Sequence, residues 1–425
     1  VALIPEFLVG YNTAVMNSPE AFVFPGHSTV EWSLAVSVFA IGGPFGALAG
    51  GIFANVYGRK NALRMNMLSF LIGGVMQTFA PGMVTIIIAR ALIGFASGFA
   101  TVLVPVYIGE LAPPALRGTF GTMSQLSMVS GILAASIASL WLTTAEGWRY
   151  LFGVTPLLSS MSLYWLSGVK ESPRWLYSHS ELPRMEVRLA TAKLLMELRG
   201  FRDEQQVMIL KICSWSSAMT DLVCDPDLRV SIICLLVLQL SQQFCGRINA
   251  VFYYSTKFLS GAVSDPLVGT VIISAVNVAA TYLAAQIMDD FPRRGLLIFS
   301  SVGMAVACIT FALDDRFPIP IFGRSAESSL ALISTGLYVI MFEIGLGPIP
   351  WLISSEMFDV KNVATAQSVA SQLNWICNFI VGFSFPFLQT ALDGLTFVPF
   401  AVVLVLTTLF VQFYVPETSG HTSEQ

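Results

Sequence analysis

Apolar runs long enough to cross a bilayer recur along this chain, and nothing else in it constrains the fold as strongly. A spanning helix needs about 20 apolar residues. Such runs occupy roughly residues 1–17 (a truncated first span), 33–54, 62–80, 83–108, 119–143 and 148–169, then 229–259, 266–288, 295–313, 328–354, 363–390 and 394–415. A polar stretch from about 170 to 227 separates six runs from six. Hydrophobic residues make up 55% of the chain and charged residues only 11%, against about 25% charged in soluble domains. The expected fold class is an all-α membrane protein with twelve transmembrane helices in two six-helix bundles.

The expected organisation is an N-terminal bundle over 1–169, a cytoplasmic linker over 170–227, a C-terminal bundle over 228–415 and a cytoplasmic tail over 416–425. From about 182 to 212 the linker alternates Leu, Met and Val with Glu, Arg and Lys, the pattern of short amphipathic helices lying under a membrane. Basic residues orient the spans. With the N-terminus inside, sixteen Lys and Arg fall on the inner flank and five (Arg90, Arg149, Lys257, Arg316, Arg324) on the outer, with Arg247 inside a span. Both termini are therefore expected in the cytoplasm.

Several function classes are excluded on composition. Net charge is −4 and no basic tract suits nucleic acid. Six cysteines without CxxC spacing and three scattered histidines offer no metal site, so no metal or cofactor is expected. No nucleophile–base pair or phosphate loop points to an enzyme. The chain starts with Val inside an apolar run, read as a clipped span and not a signal peptide, and no N-x-[ST] sequon predicts a glycan.

Charge marks repeat between the halves. GRK (58–60) follows the second span and PRR (292–294) the eighth; Glu110 ends the fourth and Glu356 the tenth; ESPR (171–174) follows the sixth and PET (416–418) the twelfth. The offsets are 234, 246 and 246 residues, which indicates a duplicated six-helix unit. Duplicated halves around a midplane site are a recurring transporter design.

The segment 239–255, QLSQQFCGRINAVFYYS, sets three glutamines, an asparagine and two tyrosines in an otherwise apolar span. Such groups are costly in hydrocarbon unless they face water or a partner. Apart from Arg247 they are uncharged, and amides both donate to and accept from hydroxyls. A polar uncharged solute such as a sugar fits that chemistry.

On GYN (10–12), GRK, PVYIGELAPPALRG (105–118), ESPR, QLSQQ (239–243), INAVFYYS (248–255), GPIPW (347–351), NWICNFIVG (374–382) and PET, the chain resembles the facilitative glucose (hexose) transporter family, in the sugar-porter branch of the major facilitator superfamily. The resemblance implies a multi-pass protein, of the plasma membrane by default. It implies a hexose site formed by Gln125, Gln242, Gln243, Asn249, Asn277, Glu343, Trp351 and Asn378, with Asn374 and Trp375 beside the last. It further implies a cytoplasmic gate of salt bridges: Arg59, Glu110, Arg117, Glu171 and Arg174 in the first half, and Asp289, Arg293, Arg294, Glu356 and Glu417 in the second. Loop anchoring is the alternative role for these charges. GPIPW is expected to bend or break the tenth helix, since Pro removes an intrahelical bond. The partners implied are the hexose and the lipid bilayer, with a monomer as the working unit.

Proton-driven sugar porters are similar too, but carry Asp where this chain has Asn12. An amide cannot take up and release a proton in the physiological range, so passive uniport of a hexose, D-glucose first, is expected over proton symport; Glu6 and Glu343 are the other ionisable candidates. A non-transporting sugar sensor is the reading from another class. Arg247 is an insertion relative to the family pattern, and one extra residue turns the rest of a helix by about 100° unless a bulge absorbs it. Pro292, Leu346 and Val363 also depart from the pattern, which predicts a looser network in the second half.

Overall fold

The computed structural model describes residues 1–111, 117–173, 175–176, 226–245, 266–288, 291–316, 326–358, 363–392 and 395–418. Of the linker expected over 170–227, residues 177–225 lie outside the described residues, as do Arg174, Arg247, Asn249, Asp289 and the tyrosines of 248–255; the side chain of Arg117 lies outside them too.

The described residues form thirteen helices. In the first half these are α1 (Ile4–Ala14), α2 (Thr29–Tyr57), α3 (Arg59–Thr78), α4 (Met83–Leu111), α5 (Arg117–Leu142) and α6 (Gly147–Trp165). In the second they are α7 (Pro226–Phe244), α8 (Pro266–Ile287), α9 (Arg293–Arg316), α10 (Ala326–Ile344), α11 (Ile349–Met357), α12 (Val363–Leu392) and α13 (Val398–Tyr414). Helices α10 and α11 are the two pieces of one broken span, so the described residues give the expected twelve. Seven of the described helices are long and apolar enough to cross a membrane, and two shorter ones are apolar on average.

Their outer faces are greasy. Ile72, Ile88, Leu157, Leu283, Val302, Leu406 and Leu409 stand exposed, a load of apolar surface that belongs in lipid and not in water. Exposed aromatic rings gather near helix ends: Phe79, Trp141 and Tyr150 at one face, Tyr57, Tyr164, Phe413 and Tyr414 at the other. That is the pattern of two interfacial belts. This is a multi-pass membrane protein.

Small residues let backbones touch inside the first half. A Cβ on Gly46 of α2 would stand 1.8 Å from the Phe95 carbonyl oxygen of α4, and one on Gly94 would stand 1.8 Å from that of Phe39. In lipid, where no hydrophobic effect drives helices together, such close van der Waals packing is a main source of association.

The halves join through α2 with α12 and α5 with α8, and they join unevenly along the helix axes. One apolar cluster combines second-half residues with Tyr11, Val15, Met16, Trp32, Val36, Ile132, Ala135, Leu151 and Phe152, all near first-half helix ends remote from Arg59. The first-half residues nearer Arg59, such as Ala54, Leu63, Met67, Leu103 and Ile108, form a separate cluster to which the second half contributes Trp375, with Phe379 packed against it. The same remote end carries a polar contact, Ser136 Oγ of α5 to Ser274 Oγ of α8 at 2.9 Å. Among the described residues, the halves of this conformer pack together at the end away from the Arg59 face.

Candidate functional site

The broken span sets the site's geometry. Pro348 and Pro350 lack N–H groups, so the helix cannot run through 345–348, and α10 stops at Ile344 while α11 starts at Ile349. The freed backbone groups find side chains. The Leu346 amide donates to Ser300 Oγ at 3.1 Å. Gln242 Nε2 donates to the Leu346 and Gly347 carbonyls at 2.8 and 2.7 Å, and Gln239 Nε2 donates to the Pro350 carbonyl at 3.1 Å. Irregular backbone at membrane depth is tolerated when protein partners satisfy it in this way.

Behind those glutamines stands Asn374 of α12. Its Nδ2 donates to Gln239 Oε1 at 2.6 Å and to Gln242 Oε1 at 2.8 Å, and its Oδ1 accepts from Gln243 Nε2 at 2.6 Å. The sequence places Gln242, Gln243 and Asn374 in one site, and the structure brings all three into one hydrogen-bonded cluster. Gln239 is an addition to the expected set. Its signal is present in the sequence, since Gln239, Gln242 and Gln243 are spaced i, i+3 and i+4 and so share a helix face.

Gln125 of α5 meets Glu343 of α10, Nε2 to Oε2 at 3.5 Å, a contact that crosses from one half to the other. Asn277 of α8 is fully buried, and neither its Nδ2 nor its Oδ1 has a partner. Gln243 Oε1 and Asn378 Oδ1 are also buried without partners, with Ser124 Oγ beside Gln125 and Ser371 Oγ one turn before Asn374. Trp351, partly buried, is the third residue of α11, held by its backbone N–H to the Pro348 carbonyl at 3.1 Å. Trp375, next to Asn374, crosses to the first half and packs edge-on against Phe39 at 5.6 Å between centroids.

The charged face repeats itself nearly atom for atom. Arg59 grips Glu110 with Nε and Nη2 at 2.9 and 2.7 Å, while Nη1 donates to the Ala54 carbonyl. Glu171 accepts from the backbone amides of Arg59 and Lys60, and Ser172 Oγ donates to Glu110 at 2.5 Å. In the second half Arg293 Nε meets Glu356 at 3.2 Å, while Nη1 donates to the Met288 carbonyl. Glu417 accepts from the amides of Arg293 and Arg294, and Thr418 Oγ1 donates to Glu356 at 2.6 Å. The paired positions differ by 234 or 246 residues throughout, the offsets of the sequence repeat. Ser172 and Thr418 are additions to the expected set; their matched places after Glu171 and Glu417 are the available clue. Both ion pairs lie within a single half, and the second is the longer.

One cation is placed otherwise than its position in the sequence suggests. Arg90 does not stand on the outer flank; it lies inside α4 and is wholly buried. Its Nη1 donates to the Asn12 carbonyl at 2.7 Å, and its guanidinium sits 4.6 Å from the Phe39 ring centre. Asn12 is buried beside it, its amide donating to the Leu8 carbonyl and to Thr155 Oγ1 at 2.9 and 3.0 Å.

Gln125 of the first half thus meets Glu343 of the second, beside which the second half gathers its own cluster of Gln239, Gln242, Gln243 and Asn374. A family model described as "Sugar (and other) transporter" matches residues 1–425. The chain belongs to this sugar transporter family. It is 35% identical to the solute carrier family 2 facilitated glucose transporter member 3 of Rattus norvegicus, over 100% of the chain and 90% of the relative, and 34% identical to member 1 of Gallus gallus, over 100% and 91%. Among solved structures, the partially occluded inward-open xylose transporter XylE of E. coli superposes with a TM-score of 0.80 at 28% identity, covering 99% of this chain and 98% of that one. XylE bound to 6-bromo-6-deoxy-D-glucose, described as a proton:xylose symporter, gives 0.80 at 26%, covering 99% and 96%. The fold is that of the major facilitator sugar transporters.

Proposed function

We propose that this protein carries a hexose, D-glucose first, downhill across a membrane by alternating access. The observation that carries the reading is the set of buried polar atoms without partners on the second-half helices α7, α8 and α12: Gln243 Oε1, both amide atoms of Asn277 and Asn378 Oδ1. Leaving such a group unpaired costs roughly 1–3 kcal/mol, so several of them together suit a ligand rich in donors and acceptors. Gln125, Gln242, Gln243, Asn249, Asn277, Glu343, Trp351, Asn374 and Asn378 form the proposed hexose site. Trp351 supplies an apolar face for the sugar's C–H side and one N–H donor. Gln242, whose amide is already committed at both ends, supports the site from behind.

The charged face is the proposed gate. Both ion pairs are largely shielded from solvent, and about 1.4 kcal/mol moves a two-state population tenfold. Networks of this size therefore suffice to bias a balanced carrier. With Arg59 and Arg293 on the cytoplasmic side, as the positive-inside bias favours, the conformer described here faces inward. The plasma membrane, cytoplasmic termini and a monomeric working unit complete the proposal.

Uptake of radiolabelled D-glucose into proteoliposomes tests it, with and without an inward proton gradient. Saturable uptake indifferent to the gradient is expected. A second reading, proton symport, draws on Glu6, a buried carboxyl on α1; accumulation above the outside level under the gradient would establish it in place of uniport. Sugar binding without flux would mark a sensor.

A further inference from the structure

The amide groups around Asn374 have a fixed polarity, and its origin lies in the broken span. A backbone carbonyl only accepts. Gln242 and Gln239 face the carbonyls of Leu346, Gly347 and Pro350, so both turn their nitrogens toward the break and the start of α11 and their oxygens toward Asn374. Those two oxygens oblige Asn374 to present its nitrogen, which it does at 2.6 and 2.8 Å. Its oxygen then faces Gln243, which answers with Nε2 at 2.6 Å. One atom remains at the end of the series, Gln243 Oε1, buried and without a partner.

We propose that this relay makes Gln239, Gln242 and Asn374 positioning residues, and that it turns Gln243 into a pure acceptor which requires one sugar hydroxyl to act as a donor. Flipping Gln243 to offer nitrogen would set its oxygen against Asn374 Oδ1, and the clash would pass back through Asn374 to carbonyls that cannot donate. The specificity of this subsite is therefore written in the proline-broken backbone, which reaches the ligand only through the relay. The proposal rests on the hexose reading.

Fluorine discriminates donor from acceptor subsites, because a C–F group cannot donate a hydrogen bond. Inhibition of labelled glucose uptake by the series of monodeoxy- and monodeoxyfluoro-D-glucoses is the measurement. For one hydroxyl, the fluoro compound should bind as poorly as the deoxy compound, each about tenfold weaker than glucose, as expected for a buried acceptor left unpaired. In Asn374→Leu the Gln243 amide is free to turn, so the fluoro compound should recover to within about threefold of glucose measured on the same variant. The Gln239→Met/Gln242→Met pair keeps Asn374 in place but frees its amide, and should relax the preference in the same way if Asn374→Leu fails to fold. A merely structural role for these residues lowers uptake without changing the fluoro-to-deoxy ratio, and that result overturns the proposal. So does tolerance of fluorine at every position in the wild type. Absence of any glucose uptake by the wild type instead takes down the transport reading and this inference with it.

Discussion

Asn277 separates a ligand site from helix glue at the level of one side chain. A packing amide holds its neighbours, and its loss weakens the protein. Here both amide atoms are buried and unpartnered, so in the empty protein the side chain is a burden of roughly 1–3 kcal/mol. Asn277→Leu is expected to raise the melting temperature of the sugar-free protein while increasing the KM for glucose about tenfold or more. A fall in melting temperature would assign Asn277 to packing instead. Asn12 offers a second single-residue test. Asn12→Asp sets a carboxyl beside the buried Arg90, and an ionisable pair at that place is expected to make uptake respond to an inward proton gradient; a gradient-independent Asn12→Asp variant would show that the identity of this residue does not govern coupling. These positions are legible in the sequence because uncharged polar residues stand out in apolar spans. Arg90 is misread for the converse reason: counting charge near a span end cannot tell a flanking arginine from one that turns inward to a backbone carbonyl. The pairing of Gln239 with Pro350 is illegible, since the carbonyls freed by a helix break carry no letter of their own.

Between elements, close approach of backbones decides what can be changed. GPIPW announces a break in the tenth span, and the structure divides it into α10 and α11 at that point. What the motif does not announce is that α7 satisfies the break through Gln239 and Gln242, because that depends on register between two helices distant in sequence. The glycines of α2 and α4 obey similar logic. Gly46→Val is expected to force α2 from α4, since even its Cβ would lie 1.8 Å from the Phe95 carbonyl oxygen and that neighbour is backbone that cannot step aside. Thermal unfolding in detergent should shift downward by the equivalent of at least about 1–3 kcal/mol, the usual range for overpacking. Gly51, with open space where its Cβ would stand, serves as the control: Gly51→Val should leave the melting temperature nearly unchanged, and equal effects at the two glycines would remove close helix approach as the reason for Gly46.

The two halves are built alike but not joined alike. The duplication is readable as offsets between charge marks, and the matching of Arg59 with Arg293, Glu110 with Glu356 and Ser172 with Thr418 obeys it closely. The packing together of the halves at one end is not readable, because a sequence that supports two conformers encodes both. Apolar packing joins the halves at the remote end, and a hydroxyl pair, Ser136 with Ser274, adds a direct polar bond there. Such a bond contributes about 0.5–1.5 kcal/mol, enough to shift a two-state ratio by roughly two- to tenfold. Removing both partners with Ser136→Ala/Ser274→Ala leaves no orphaned donor and simply deletes that bias. Spin labels at the remote ends of α5 and α8 should then report a larger population of the separated distance, while Glu110→Gln, which loosens the opposite face, should move the population the other way. If both variants shift the distances in the same direction, or neither does, the two ends are not coupled through one rocking equilibrium.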